Sequence, residues 1–132
     1  MVKPLVSVII PTYENFDGLL KALDSVYSQT YKNYEVIIIN DGSSDKRYLE
    51  YEFKKETKHI YIEKNSVKEK GYFSDSIRNH GMKIASGKYV AFLDDDDYWL
   101  ENKLQKQVTT LESSEHSLSL IHISEPTRLG MI

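Results

Sequence analysis

The chain has 132 residues, 40% of them apolar and 28% charged, with a net charge of -3. That length suits one domain with an ordinary globular core, and the mild negative balance gives no electrostatic reason to expect nucleic acid as a partner. No cysteine is present, so disulfides and thiolate metal sites are excluded, and the four histidines, His59, His80, His116 and His122, lack the spacing of a zinc site. No run approaches the roughly 18 apolar residues of a membrane span, and the amino end has no signal-peptide pattern. A cytoplasmic location is the resulting expectation.

Leu5–Ile10 is a short apolar run stopped by Pro11, which predicts a buried strand followed by a polar loop, Thr12-Tyr13-Glu14-Asn15. From Phe16 the apolar residues Leu19, Leu20, Leu23, Val26 and Tyr27 recur at three- and four-residue spacings, predicting an amphipathic helix capped by Asn15 or Asp17. After a polar turn, Gln29–Asn33, the run Tyr34–Ile39 is apolar enough for the middle of a parallel sheet. It ends in Asn40-Asp41-Gly42-Ser43-Ser44-Asp45, where Gly42 permits a tight turn and Ser43, Ser44 or Asp45 can cap a helix carrying Tyr48, Leu49 and Phe53.

His59–Glu63 alternates as a third, shorter strand, and the lysine-rich stretch Lys64–Tyr72, with Gly71, predicts a mobile loop beside the site. A helix follows over Ser74–Ser86, with Ile77, Gly81, Ile84 and Ala85 on one face and Gly87 at its stop. The strand Tyr89–Leu93 then runs into Asp94-Asp95-Asp96-Asp97, and Leu100, Leu104, Val108 and Leu111 mark a last helix ending near Ser113. Four adjacent carboxylates repel one another unless a cation sits among them, and oxygen ligands at this spacing suit Mg²⁺ or Mn²⁺. An acidic run is also the composition of a solvated loop. An EF-hand loop is excluded, because its sixth and twelfth positions, counted from Asp94, hold Trp99 and Gln105 instead of Gly and Glu.

Residues 115–132 change character: Ser117–Ser124 reads as a strand, whereas Glu125–Ile132 has no periodicity. Either this is a genuine terminal strand and tail, or it is non-native and similar to translated vector sequence. Residues 1–114 are therefore taken as the domain, partial in extent.

The motifs Ser7-Val8-Ile9-Ile10-Pro11-Thr12-Tyr13, Glu35–Asp45, Arg78-Asn79-His80-Gly81, Ala85-Ser86-Gly87-Lys88-Tyr89 and Phe92–Asp97 stand in the order and spacing that resemble the family 2 glycosyltransferases. The resemblance covers roughly residues 5–111. It implies a GT-A fold, a Rossmann-like α/β sandwich with a mostly parallel sheet flanked by helices, here incomplete at its carboxyl end. It also implies a nucleotide-sugar donor, most often a UDP-sugar, and a Mn²⁺ or Mg²⁺ cofactor. By the same resemblance Pro11, Thr12 and Tyr13 pack on the base, Asp41 hydrogen-bonds it, and Arg78 assists at the phosphates. The Asp-x-Asp motif maps onto Asp94 and Asp96 for ribose and metal, with Asp95 taking a nucleotide role if the register slips within the four acids.

The implied reaction moves a sugar to a hydroxyl of an unidentified glycan, lipid-linked or protein acceptor, in surface polysaccharide or glycoconjugate synthesis at the inner face of a membrane. The family's general base lies well beyond the Asp-x-Asp motif, so no catalytic base is assigned. Two alternatives stand beside this reading: a nucleotide- or metal-binding fragment without chemistry of its own, and a sugar nucleotidyltransferase. The second lacks its glycine-rich basic loop, since Pro11-Thr12-Tyr13-Glu14-Asn15 follows the first strand; a dinucleotide-binding dehydrogenase is dismissed for want of Gly-x-Gly-x-x-Gly there.

Overall fold

The computed structural model describes residues 3–62 and 75–113, and for residues 75–78 the backbone alone. Four strands, β1 (Val6–Thr12), β2 (Tyr34–Asn40), β3 (Thr57–Tyr61) and β4 (Tyr89–Phe92), form one parallel sheet in the order β3-β2-β1-β4. The helices are α1 (Phe16–Tyr27), α2 (Arg47–Glu50), α3 (Asp75–Ile84) and α4 (Lys103–Ser113). Strand and helix alternate as the sequence predicts, giving an α/β sandwich.

The central strands read as continuous apolar runs because both of their faces are covered. Val6, Val8, Ile10, Val36, Ile38, Tyr89 and Ala91 pack with Leu19, Leu23 and Val26 of α1 and Leu104 and Val108 of α4. On the opposite face Ile9, Ile37, Ile39, Val90 and Phe92 meet Met82 and Ile84 of α3 and the following Ala85. Each fully buried aliphatic side chain contributes about 1.5–3 kcal/mol, so a charge at Ile37, which is fully buried, would break the sheet.

Strand β1 passes through Pro11 instead of stopping there, and the ladder shows why. Odd positions of β1 serve β4, as in the 3.0 Å bond from the Leu93 N–H to the Ile9 carbonyl; even positions serve β2, as in Val6 N–H to Asn33 at 3.1 Å. The last β4 pair is Ile9 with Phe92, so the missing N–H of Pro11 removes no ladder bond. Pairing with β2 therefore continues to Thr12 opposite Asn40.

Other expectations shift for equally local reasons. Strand β3 occupies Thr57–Tyr61, because its pairing starts at Val36 opposite Thr57; Glu63 lies outside the described residues. The helix expected to carry Tyr48, Leu49 and Phe53 is a single turn, with Tyr48 buried, Leu49 exposed and Phe53 beyond the end, packed on the core. The supposedly polar turn after α1 buries Gln29 and Tyr31: the Gln29 amide donates to the carbonyls of Ser25 and Leu100 at 3.0 and 2.7 Å and accepts the Leu104 N–H at 2.9 Å. That bond helps to start α4 at Lys103 and leaves Leu100 outside the helix and exposed. The side chain of Ile77, the loop Lys64–Tyr72 and the tail 115–132 lie outside the described residues.

Candidate functional site

The strands β1, β2 and β4 deliver their carboxyl ends to one rim, and the chain goes from β1 to β2 on one side and later reaches β4 on the other. Such a switch point opens a crevice in a doubly wound sheet. Three loops meet there: Tyr13–Asn15 after β1, Asp41–Lys46 after β2 and Leu93–Tyr98 after β4.

The first two loops hold each other. Glu14 adopts a left-handed φ of 46°, which an ordinary side chain takes only under constraint. Its N–H donates to Ser43 Oγ at 2.8 Å, and its Oε2 accepts the Ser44 hydroxyl at 2.7 Å and the Ser44 N–H at 2.9 Å. Those hydrogen bonds hold the Glu14 carboxyl below its ordinary range. Gly42, at φ 77°, supplies the left-handed turn that the sequence predicts, and the Asp41 N–H donates to the Thr12 carbonyl at 2.9 Å.

Tyr48 ties these loops to the third. Its buried hydroxyl accepts the Asn15 N–H at 2.8 Å and lies 2.8 Å from Thr12 Oγ1, which in turn donates to Asp95 Oδ2 at 2.8 Å. Because Thr12 has a single hydroxyl proton and a carboxylate only accepts, Tyr48 is the donor to Thr12. Asp95 Oδ2 also receives the Tyr13 N–H, and the Asn15 amide donates to the Asp95 carbonyl, both at 3.3 Å. Burial pushes the Asp95 carboxyl above its ordinary range, while the Thr12 and Tyr13 hydrogen bonds pull it down. A Cβ on Gly18 would stand 2.4 Å from the Asp95 carbonyl, so the start of α1 must be bare for this loop to approach.

The remaining acids follow from one turn. The Asp97 N–H donates to the Asp94 carbonyl at 3.1 Å, and this turn gathers Asp94, Asp96 and Asp97 so that their ligand oxygens lie within 4.8 Å of one another. An all-oxygen donor set of that size fits a hard divalent cation.

The predicted residues Pro11, Thr12, Tyr13, Asp41, Asp94, Asp95 and Asp96 thus share the rim. Tyr13 is 44% exposed and offers its ring to the outside, whereas Asp41 is buried at 3%. Arg78 lies in α3, and its side chain is outside the described residues. Sequence reasoning missed the Tyr48 relay and the close approach at Gly18, and it counted Asp97 among the four acids without grouping it with Asp94 and Asp96 as a candidate ligand. A glycine inside an amphipathic helix was the available signal for the second; a four-residue turn was that for the third. It also missed Lys103, whose Nζ is buried without a hydrogen-bond partner, 4.0 Å from the centre of the Trp99 ring. Burial drives the Lys103 pKa down to about 7.

The profile described as Glycosyl transferase family 2 matches residues 7–126. The chain belongs to that family. It is 39% identical over 111 residues to the Escherichia coli UDP-Glc:alpha-D-GlcNAc-diphosphoundecaprenol beta-1,3-glucosyltransferase WfaP, covering 84% of this chain and 43% of that protein. It is 40% identical over 110 residues to the Bacillus subtilis putative teichuronic acid biosynthesis glycosyltransferase TuaG, covering 80% and 41%. The solved structure of S. aureus TarS in complex with UDP superposes with a TM-score of 0.71 at 28% identity, over 82% of this chain and 32% of that one. The chain therefore has the GT-A fold of a transferase family and spans less than half the length of these relatives. Among the described residues no helix is long and apolar enough to cross a membrane.

Proposed function

We propose that this glycosyltransferase chain binds a UDP-sugar at the rim of β1, β2 and β4. In the whole protein the sugar then passes to a hydroxyl of a glycan, lipid-linked or protein acceptor during surface polysaccharide or glycoconjugate synthesis, at the inner face of a membrane. The observation that carries the reading is that Asp41, the exposed Tyr13 ring and the Asp94, Asp96, Asp97 cluster stand on one rim at the sheet's switch point. UDP in the TarS complex and the UDP-glucose named for WfaP support the choice of nucleotide.

Each side chain has a role its chemistry can perform. Asp41 accepts an N–H of the uracil in a charge-assisted bond, and Tyr13, set by Pro11 and Thr12, gives the base a flat face. Asp94 and Asp96 hold Mn²⁺ or Mg²⁺, which when bound offsets charge on the departing diphosphate. Asp95, engaged by Thr12 and Tyr13, joins two loops and takes a nucleotide role if the motif's register slips by one, and Arg78 assists at the phosphates. The division at residue 114, with 115–132 either a genuine terminal strand and tail or a non-native one, is part of the same proposal.

Calorimetric titration of the folded chain with UDP, with and without Mn²⁺, tests it. Binding in the parent should strengthen with Mn²⁺. Asp96→Ala should remove that metal effect, and Asp41→Ala should weaken UDP binding with or without metal. Parent-like binding by both variants would overturn the site assignment.

A further inference from the structure

Beneath the loop that carries Asp41 lies a polar pair whose hydrogen-bond logic admits one protonation state. Asn40, fully buried at the end of β2, accepts the Ser43 N–H on Oδ1 at 3.0 Å. A backbone N–H can only donate, so that end of the amide must be its oxygen. The Asn40 Nδ2 therefore faces His59 Nε2, 3.2 Å away on β3. An amide NH₂ can only donate as well, so His59 Nε2 must accept, its proton must sit on Nδ1, and the ring must be neutral.

The surroundings favour that neutral ring. His59 is stacked with Tyr48, centroids 6.4 Å apart, and tilted against Phe53 at 5.4 Å. Among the described residues, the titratable groups around it are engaged elsewhere. Tyr48 of α2 gives its hydroxyl to Thr12; Tyr51, beyond α2, packs edge-on to Phe16; and Lys54 reaches over the Tyr27 ring. Neighbouring Lys58 on β3 pairs at 3.7 Å with Glu35 of β2, on the opposite face of the sheet, and Tyr61 is exposed. Asp41 follows Asn40 on the chain. Among the described residues no charged group contributes to the shift at His59, and burial lowers its pKa from the ordinary 6.5.

We infer that His59 is a positioning residue: as a neutral acceptor it fixes the Asn40 amide, which holds the Ser43 N–H and with it the Asp41–Ser43 turn. Protonation puts an N–H on Nε2 and sets donor against donor. Rotating the amide to relieve that contact turns Nδ2 onto the Ser43 N–H and loses the bond holding the turn. Either way the loop carrying Asp41 is released at low pH. The consequence for ligand rests on the donor-site reading above; the geometry of the loop does not.

The test uses the whole chain. Nitrogen-detected NMR titration of the histidine rings, assigned with His59→Gln, should show the Nδ1–H tautomer for His59 at neutral pH and a pKa below 6.5. The Ser43 amide resonance should move with the same midpoint. Apparent UDP affinity should fall by up to about tenfold per pH unit below that midpoint, in proportion to the neutral fraction. His59→Gln, whose amide oxygen can accept the same N–H, should flatten this pH profile. Asn40→Asp, able to accept from both Ser43 and an imidazolium, should raise the His59 pKa above 6.5 and abolish the loss in acid. An Nε2–H tautomer in the parent, a Ser43 amide indifferent to His59, or the same acid loss in His59→Gln as in the parent would overturn the inference. Failure to bind UDP at every pH, with the Ser43 amide still following His59, would uphold the positioning role and sink the donor-site reading instead.

Discussion

The two ends of the sheet use one device to different effect. At the amino end Ser7 Oγ donates to Glu35 Oε2 at 2.6 Å and accepts the Gly87 N–H at 2.8 Å, while the same Glu35 oxygen takes the Ser86 N–H at 2.7 Å and Lys58 stands 3.7 Å from its neighbour. At the carboxyl end Thr12 donates to Asp95 in the same hydroxyl-to-carboxylate bond, at 2.8 Å. There the resemblance stops. The first carboxylate is surrounded by donors and a cation; the second adjoins three more acids drawn within 4.8 Å and a glutamate in left-handed backbone. Among the described residues the clustered acids and the left-handed glutamate stand together at the carboxyl end, the end proposed above to take a ligand.

If matching of charge governs stability here, the largest effect belongs to the buried cation that lacks a hydrogen-bond partner. Lys103 has its pKa lowered by burial from 10.5 to about 7, so the folded state favours the neutral amine. As pH falls from 10.5 toward 7 the unfolded chain takes up a proton that the folded chain refuses, and stability drops across that window. Lys103→Met should raise stability at neutral pH by about 2–4 kcal/mol, at roughly 1.36 kcal/mol per pKa unit less a share for the lost contact with Trp99. The gain should shrink near pH 10.5. Urea unfolding at both pH values measures it, and a destabilised variant at neutral pH would show that the ammonium is matched after all.

The next effect tests the well-matched end. Glu35→Ala strips the acceptor from the Ser7 hydroxyl and the Ser86 N–H and should cost about 2–3 kcal/mol, whereas Glu35→Gln, which can place a carbonyl oxygen at the same point, should recover most of that loss. Equal losses in the two variants would mean that the charge, and not the pair of hydrogen bonds, secures the turn into β4.

Much of this contrast was legible in the residues themselves. Runs such as Tyr34–Ile39 need burial on both faces, and polar groups after each run, Thr12-Tyr13, Asn40-Asp41 and Asp94–Asp97, put the site at the strands' carboxyl ends. What stayed hidden depended on partners distant in sequence. Tyr48 read as an apolar helix residue because nothing local says that its hydroxyl meets Thr12 and Asn15. Pro11 read as a stop because only the short β4 ladder frees its missing N–H. Gln29 read as turn filler because its three bonds include two to residues more than 70 positions away.

The smallest stability effect is expected within the acid cluster, and it is the sharpest test of what the crowding is for. Asp97 stands outside the alternate-residue motif of Asp94 and Asp96, yet the 94–97 turn brings it to them. Asp97→Asn keeps the shape, the 94–97 backbone turn and a side chain able to hydrogen-bond while removing one of the three clustered charges, so the melting temperature should change little. Mn²⁺-assisted UDP binding should fall by about tenfold, near 1.4 kcal/mol, if the third carboxylate is a ligand. A variant that keeps the full Mn²⁺ effect would confine the metal to Asp94 and Asp96 and leave Asp97 as the residue that closes the turn. Stability unchanged and metal response lost would separate the two ends of the sheet by function, because Glu35→Ala at the other end should do the reverse.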